Sequence, residues 1–283
     1  MAISTSADLN SLYNNIYEDS LFVLRERTLM ASMVTGFMAT GYATRTVGIF
    51  GTVTAQTVAE GVDFTAGTTF DKTSLATFTP AEAMAQFILT DRMIQTDNVD
   101  SIRNAAAIEL GNALAQKVDI DLLALFSGFS SGKGTAAASL TIGKLGAAVA
   151  VLGNNKVMGP RMGVLHPYQW HDIWVELGQP AATYANLGDV LTTEALREYF
   201  VSRLLNVTWY VSANITPDGS DDAYGAVFTR EALGFDEREA YSVRPQRDES
   251  LRATELNGHM GYAVGELRDA AGVYLLSDAS EPS

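Results

Sequence analysis

Histidine is the first residue type to test for chemistry, and the chain has His166, His171 and His259. His166 and His171 lie five residues apart, in the run His-Pro-Tyr-Gln-Trp-His. Metal ligands on one helix need a spacing of three or four residues, and a spacing of five places the two rings on different faces. Neither HExxH nor a two-histidine, one-carboxylate pattern occurs. We therefore predict no metal site, and we interpret these histidines as half-buried rings beside the start of a helix.

A short glycine-rich run, Ser131-Gly132-Lys133-Gly134-Thr135, is similar to part of a phosphate-binding loop. The full spacing Gly-x-x-x-x-Gly-Lys-Ser/Thr is missing, and the run follows a predicted helix rather than a buried strand. We expect a flexible surface loop over residues 129–140 and no phosphate site.

Carboxylates are numerous, so paired acids need a separate test. Asp119 and Asp121 are two residues apart on a predicted helix and should point in different directions. Asp218, Asp221 and Asp222 could contact Ca²⁺, but the twelve-residue loop with its closing glutamate is absent. We expect a solvated acidic loop there. The sequence thus predicts no catalytic residue, no cofactor and no enzyme activity; the alternative left open is a soluble enzyme whose site has no known pattern.

Composition further limits the classes of function that the protein could have. The 283 residues carry 19 Lys and Arg against 33 Asp and Glu, a formal net charge of −14, and 47% are hydrophobic. Such an acidic surface repels phosphate, which argues against tight wrapping by nucleic acid. There is no cysteine, so disulfides, thiolate nucleophiles and zinc–sulfur sites are excluded. We expect no signal peptide and no membrane span, since no apolar run reaches the length that a bilayer needs.

The clearest predicted element is a helix over residues 98–126, about 43 Å long at 1.5 Å per residue. Apolar residues recur there at steps of three or four. They are Val99, Ile102, Ala106, Leu110, Leu114, Val118, Leu122 and Phe126. A helix of this length would act as a beam along an elongated subunit.

Residues 41–80 are rich in Thr, Gly and Val, which predicts a long β-hairpin with a turn at Glu60-Gly61. The hairpin has too few apolar residues to bury itself, and a two-stranded ribbon alone is marginal in water. It therefore needs a partner surface. The amphipathic segment 1–40 is an N-terminal arm that packs either on its own domain or on something else.

The remainder is predicted to alternate helices and strands. A helix begins after Thr141, a strand covers Met162–Leu165, a helix starts at Pro167, and a third helix runs from Thr192-Thr193 to Phe200. A strand follows from Leu204 to Ser212, and further strands dominate up to Leu276.

This order of elements resembles that of the major capsid proteins of tailed bacteriophages. Their fold is called the Johnson fold, and encapsulins share it. The resemblance covers most of the chain. The segments that carry it are Thr46–Phe70 with its turn region Val58–Asp63, Phe87–Asp91 leading to a helix that ends Val118–Leu123, Met162–Pro167, Leu205–Ser212, Ala226–Gly234, Gly261–Val264 and Gly272–Leu276.

The resemblance implies an α+β phage major-capsid (Johnson) fold. An N-terminal arm would cover 1–40 and an extended loop, a β-hairpin, would cover 41–80. A peripheral domain would take 81–140 and 213–283, with a spine helix at 98–126, and a compact axial α/β domain would take 141–212.

The resemblance also implies a function. Subunits would assemble as hexamers and pentamers into the icosahedral head of a double-stranded DNA phage, inside the host bacterial cytoplasm, and enclose DNA without sequence-specific binding. The portal and a separate scaffolding protein are the further expected partners. The alternative is an encapsulin-like bacterial compartment with a protein cargo.

The expected inter-subunit residues of the extended loop are Arg45, Glu60, Asp63, Phe64, Phe70 and Lys72. Their expected partners on a neighbour, chosen on the supply of positive charge, are Arg244, Arg247 and Arg252. The alternative is that Glu60 and Asp63 are merely solvated at a flexible tip.

Overall fold

A computed structural model describes residues 29–50, 53, 55, 57–64, 72–92, 99–178 and 203–282. Four α-helices lie in these ranges: α1 (Met30–Met33), α2 (Val99–Ala124), α3 (Ile142–Asn154) and α4 (Pro167–Gly178). The strands are β1 (Thr35–Met38), β2 (Arg45–Phe50), β3 (Lys72–Phe78), β4 (Ala81–Thr90), β5 (Gly132–Gly134), β6 (Arg161–Leu165), β7 (Arg203–Leu204), β8 (Val207–Val211), β9 (Asp222–Thr229), β10 (Leu233–Asp248), β11 (Ala253–Glu266) and β12 (Gly272–Asp278).

The long helix α2 confirms the helix predicted over 98–126, with a short 3-10 helix, Leu125–Gly128, as its continuation. Its apolar stripe is buried as the spacing predicts: Leu110, Leu114, Val118 and Leu122 are each at most 2% exposed. The stripe faces two different partners, since the middle of α2 packs on one sheet and its end lies in the central core.

A four-stranded sheet, in the order β1-β10-β11-β4, lies against the middle of α2. Leu110 and Leu114 pack with Tyr241, Val243 and Leu256 from this sheet. Residues of β4 alternate between partly buried and exposed, so one face of the sheet covers the helix and the other faces outward. We call the second surface the outer face.

Pairing between β10 and β11 is antiparallel but irregular at one place. The register shifts between Glu237 and Glu239 and again between Glu239 and Ser242. Each shift inserts an extra residue into β10, which is the pattern of a β-bulge, and bulges re-aim the side chains beside them. As a result Glu239 and Ser242 both reach His259 on β11.

A six-stranded sheet, in the order β5-β12-β9-β6-β8-β7, forms the second layer with α3 and α4. Thr141 caps α3 by accepting a hydrogen bond from the backbone N–H of Lys144 at 3.4 Å. Trp170 from α4 and Trp209 from β8 lie 6.4 Å apart, centroid to centroid, in the core between the sheet and the helices. The predicted elements that begin after Thr141, at Met162 and at Pro167 are therefore confirmed.

Both sheets contain strands from the segment after residue 213. The expected peripheral segment 213–283 is shared between both sheets, because β9 pairs with β6 and β12 pairs with β9 and β5. β9 is buried along nearly its whole length, and β12 has no exposed residue, so both strands fit inside a six-stranded sheet rather than at its edge.

Two local predictions also change. Residues 132–134 in the predicted loop 129–140 form the short strand β5, which pairs in parallel with β12. The predicted strand from Leu204 to Ser212 is interrupted at Leu205 and Asn206, whose φ angles of 55° and 61° form a tight turn between β7 and β8. The predicted third helix, from Thr192-Thr193 to Phe200, lies outside the described residues.

The last part of the predicted arm is built into the subunit. Met30, Met33 and Val34 are buried in the central core with Val118 and Leu122 of α2, and β1 pairs in parallel with the first residues of β10. The predicted amphipathic segment before residue 29 lies outside the described residues. Within the ranges that the structure describes, no helix has the length and apolar character that crossing a membrane requires.

Candidate assembly surface

The predicted β-hairpin of residues 41–80 is present as the pair β2 and β3. Its antiparallel register runs from Arg45 opposite Phe78 to Phe50 opposite Lys72. The predicted turn at Glu60-Gly61 is confirmed: the N–H of Val62 donates to the carbonyl of Ala59 at 3.2 Å, and Gly61 has a φ of +79°. That dihedral is one that glycine adopts without strain, as a type II turn requires.

The end of this hairpin exposes apolar side chains. Val53, Val58, Val62 and Phe64 are between 44% and 63% exposed. Glu60 and Asp63 are exposed among them, and neither has a hydrogen bond or ion pair within the described part of the chain. We call residues 57–64 the hairpin tip.

Arg45 joins the first strand of the hairpin to its own subunit. Its Nε donates to Oδ2 of Asp236 at 2.9 Å, and a terminal nitrogen donates to the carbonyl of Met38 at 3.1 Å. The guanidinium also lies 5.2 Å from the centre of the Phe37 ring, within the range of a cation–π contact. Arg45, predicted to face a neighbour, therefore has partners within its own chain.

Phe78 joins the second strand of the hairpin to the same sheet. It is fully buried, and it occupies the space that side chains would otherwise fill at Gly234 and Gly265, which face each other across β10 and β11. A Cβ atom added at Gly234 would lie 2.6 Å from the Phe78 ring, and one at Gly265 would lie 3.0 Å from it. The two glycines therefore form a slot for this ring.

The outer face of the four-stranded sheet carries an open groove of about 340 Å³. Its lining is mixed, with amide and charged side chains and one exposed methionine: Glu82, Met84, Gln86, Arg244, Pro245, Gln246, Asn257 and His259. Met84 and, farther along the same strand, Ile88 are 65% and 49% exposed. We call this surface the sheet groove.

A polar cluster lies at the groove around the bulged residue Glu239. One carboxylate oxygen of Glu239 accepts from Arg244 and contacts Nε2 of His259, both at 3.1 Å, while the other accepts from the Tyr42 hydroxyl at 2.9 Å. Ser242 contacts the same Nε2 at 2.9 Å. The Tyr42 hydrogen bond, above all, lowers the pKa of Glu239, and the same bond raises the pKa of Tyr42.

Arg247 and Arg252, the other predicted partners, lie at the far end of the β10–β11 pair. Arg247 donates through two nitrogens to the two oxygens of Asp91, at 2.6 and 2.7 Å. This bidentate pair lowers the pKa of Asp91 and raises that of Arg247. Arg252 is exposed at a turn, with a φ of 49°, and its carbonyl accepts from the N–H of Asp91.

Of the three predicted arginines, the structure thus places Arg244 at the sheet groove and the other two beside Asp91. Lys72 opens β3, where its backbone pairs with Phe50. Phe70 lies outside the described residues.

The histidines and the acidic loop considered above as possible chemical sites make ordinary structural contacts. His166 is buried, which lowers its pKa, and its Nδ1 accepts from the N–H of Tyr168. His171 lies 5.9 Å from the Trp174 ring. Asp218 accepts from two backbone N–H groups of its own loop. The described ranges contain no group of three or more side chains that could hold a metal ion.

One chemical pattern escaped the sequence analysis. Residues 128–132 have the spacing Gly-x-Ser-x-Gly, which in hydrolases presents a nucleophile on a strand-to-helix turn. Here Ser130 follows a 3-10 helix instead, and its hydroxyl donates to Asp269. In the described part of the chain Ser130 contacts no histidine, so the hydrogen bonds around it contain no general base of the usual kind.

The residues at the base of the hairpin also escaped prediction, namely Tyr42, Phe78, Asp236 and Glu239. A signal exists in Phe235-Asp236-Glu237-Arg238-Glu239, where four charged residues in succession interrupt the uncharged residues of the first half of β10. Charges on a buried strand need partners. The partners lie about 190 positions earlier in the chain, and local spacing does not identify them.

Comparison with known families decides the class of protein. A family model described as phage capsid protein matches residues 85–276, more than half of the chain. The chain belongs to the phage capsid protein family. It is a structural protein of the capsid shell, as the resemblance in the sequence predicts. No curated protein sequence matches it significantly.

Solved capsid structures share the fold of this capsid protein. The capsid of cyanophage P-SCSP1u has 15% identity and a TM-score of 0.68, with 89% of each chain covered. The Mycobacterium phage Che8 structure has 17% identity and a TM-score of 0.63, covering 81% of this chain and 84% of that one. A virus-like particle from Pyrococcus furiosus has 12% identity and a TM-score of 0.60, covering 93% and 98%. The predicted α+β capsid fold is confirmed.

Proposed function

We propose that this capsid protein assembles as hexamers and pentamers into the closed icosahedral head of a tailed double-stranded DNA phage. Its place is the virion, and assembly takes place in the cytoplasm of the host bacterium. The observation that carries the proposal is the exposed hairpin tip, which a lone subunit leaves in water.

The tip supports self-assembly for an energetic reason. Burying apolar surface contributes about 25 cal/mol per Å², and Val58, Val62 and Phe64 keep roughly half of their surface exposed. A two-stranded ribbon is marginal by itself. A neighbouring subunit of the same kind would cover the tip. Repetition of that contact around a hexamer or pentamer would form a closed ring of subunits.

The sheet groove is the surface that we propose for this contact on the neighbour. The tip brings Glu60 and Asp63 with Val62 and Phe64. The groove offers Arg244 to the two carboxylates, and Met84, with Ile88 nearby, to the apolar side chains, while Glu82 is the acidic residue of its lining. Arg244 is 69% exposed, and its pair with Glu239 is therefore open to exchange with a carboxylate of the neighbour.

Within this proposal the chain divides into an N-terminal arm, the extended hairpin of 41–80, a peripheral domain and an axial domain. The peripheral domain contains α2 and the four-stranded sheet. The axial domain contains α3, α4 and the six-stranded sheet, so it takes β9 and β12 from the segment after residue 213. Met30, Met33 and Val34, although part of the arm, pack in the core of the subunit, and β1 pairs with β10.

The remaining proposed partners follow from the net charge of the subunit and from its membership of the phage capsid protein family. A formal net charge of −14 in every copy disfavours strong contacts with duplex DNA, so the shell would confine DNA rather than bind it in a sequence-specific way. The portal and a separate scaffolding protein are the other proposed partners. The protein would need no cofactor and would catalyse no reaction.

Deletion of residues 47–70 tests the proposal directly. The truncated subunit should remain folded, because β2 and β3 pair with each other in a sheet of their own, and it should form no shells in negative-stain images.

A matched pair of variants tests the apolar contact. Replacing Val58, Val62 and Phe64 by Ser should reduce shell yield, whereas Met158→Ser, at a site 86% exposed on another loop, should not. Normal shells from the deletion would contradict the proposal.

A further inference from the structure

The base of the hairpin is fastened to the first half of β10 by four polar contacts within the described part of the chain. Arg45 donates to Asp236, the Tyr42 hydroxyl donates to Glu239, and Arg238 donates to the carbonyl of Gly41 at 3.3 Å. The N–H of Ala39 donates to the carbonyl of Glu237 at 3.1 Å. Four of the residues between Ala39 and Arg45 are thus held on one short stretch of strand, Asp236–Glu239.

Asp236 is the centre of this arrangement. It is fully buried, and its Oδ2 accepts from Arg45 at 2.9 Å and from Arg238 at 2.7 and 2.8 Å. Its Oδ1 is buried and accepts no hydrogen bond from the described residues. A buried oxygen without a donor is unfavourable, and such groups in native proteins need an explanation other than stability. Here the explanation is geometric: the guanidinium groups of Arg45 and Arg238 both donate to Oδ2, so Oδ1 is left without a donor in the described ranges.

The hairpin is anchored through both of its strands at the same level. Arg45 and Phe78 are opposite each other in the register of β2 and β3. Arg45 is held by Asp236, and Phe78 is held in the slot of Gly234 and Gly265, two residues along the same strand pair. A ribbon held by one strand can pivot about it. A ribbon held by both members of its first residue pair has a fixed direction.

We propose that Asp236 is a positioning residue for assembly, which sets the direction in which the hairpin leaves the subunit and thereby the curvature of the shell. The inference rests on the proposed function, in which the hairpin bridges subunits. Subunits whose hairpins point in one direction meet at one angle. Subunits whose hairpins pivot meet at several angles and close into shells of several sizes, or fail to close.

Arg45→Gln tests this inference, because it removes the link to the hairpin and leaves the Asp236–Arg238 pair intact. The unfolding temperature of the subunit should change by less than about 5 °C. Hydrogen exchange of the amides in 46–50 should become at least about tenfold faster, with β11 unchanged. Cryo-electron microscopy of the assembled material should show mixed diameters and open sheets in place of one diameter.

Two further variants complete the test. Arg268→Gln removes a positive charge from an exposed pair with Glu231 that includes neither Arg45 nor Asp236, and it should leave all three measurements unchanged. Arg45→Lys keeps the charge but lacks the planar guanidinium that reaches Asp236 and Met38 through two different nitrogens, so it should restore only part of the uniform diameter.

The outcomes separate the two proposals. Shells of normal yield and single diameter from Arg45→Gln would overturn the positioning role, even if deletion of 47–70 abolishes shells. Failure of both Arg45 variants to fold would also overturn it, because Arg45 would then be needed for folding. Normal shells from the deletion would overturn the bridging function itself.

Discussion

Asp119, in the last two turns of α2, accepts the backbone N–H of Met30 at 3.2 Å, although 89 positions separate the two residues. The N–H of Leu29 donates to the same carboxylate at 3.4 Å. Asp119 is 3% exposed, and burial raises its pKa, while the two backbone donors act in the opposite direction. One buried side chain thus fastens the segment that leads into α1 and β1 to the long helix.

Replacement of Asp119 by Ala should lower the free energy of unfolding by about 2 kcal/mol, because the buried N–H of Met30 and the partly buried N–H of Leu29 lose their acceptor. Asp119→Asn should cost less, since its amide oxygen can still accept a hydrogen bond. Chemical denaturation followed by circular dichroism measures both. Glu109→Gln, at an exposed site on the same helix, is the control and should have no effect.

The Asp119→Asn variant should also change the pH dependence of stability. The native pKa of Asp119 lies above the ordinary value of 3.8, so folding favours the neutral acid. That stabilisation is fully present below 3.8 and is lost as the pH rises through the raised native pKa. The Asn variant cannot ionise, so its stability relative to the native protein should increase with pH across this window. A constant difference in unfolding free energy would show that the carboxyl does not titrate in this way.

The slot for Phe78 gives a prediction with a close control. Gly234→Ala should destabilise the subunit by about 1–3 kcal/mol, because the new methyl group meets a fully buried ring that has no free space to move into. Gly258→Ala, in the same sheet, should be tolerated, since its nearest atoms would lie at ordinary contact distances of 3.4 to 3.6 Å. Equal unfolding free energies for the two variants would contradict the slot.

Charge reversal tests the docking of the hairpin tip. Replacing both Glu60 and Asp63 by Lys should reduce shell yield while the subunit stays folded, because the tip would then repel Arg244. Exposed ion pairs contribute under about 1 kcal/mol each, but the contact repeats around the shell. Adding Arg244→Glu to the double variant should restore assembly. The same double reversal at Glu109 and Glu281, exposed elsewhere, should have little effect. Unchanged yield and thermal stability of shells from the tip variant would support solvated acids instead.

Binding to DNA should be weak and strongly dependent on salt. Free subunits carry a formal net charge of −14, and phosphate contacts require positive charge on the protein. Fluorescence anisotropy with a labelled duplex should give no binding below the micromolar range at physiological salt. A submicromolar dissociation constant under those conditions would contradict the prediction.

Elements with a strong local pattern could be predicted from the sequence. The helical spacing from Val99 to Phe126 gives α2 to within two residues, and Thr141 and Pro167 mark the starts of α3 and α4. These predictions succeed because capping and periodicity act over a few neighbouring residues. The hairpin and its turn follow from Gly61 for the same reason.

Contacts between distant parts of the chain could not be predicted in this way. The assignment of β9 and β12 to the six-stranded sheet depends on which strands become neighbours, and their apolar runs fit either sheet. The partners of Arg45 and Arg244 are likewise fixed by tertiary packing and by the bulges around Glu239. The sequence analysis chose Arg244, Arg247 and Arg252 only because they are positively charged, and the structure places Arg244 alone of the three at the groove.

The order of the six-stranded sheet has a consequence for synthesis. The strand β12, residues 272–278, lies between β5 and β9 and carries the hydrogen bonds of both. β5 therefore has no neighbour until a segment far downstream has left the ribosome, and pairing over such separations is slow. A growing chain therefore cannot complete this layer, and the six-stranded sheet closes only after that late strand is inserted. Synthesis of nearly the whole chain thus precedes completion of the subunit's second layer.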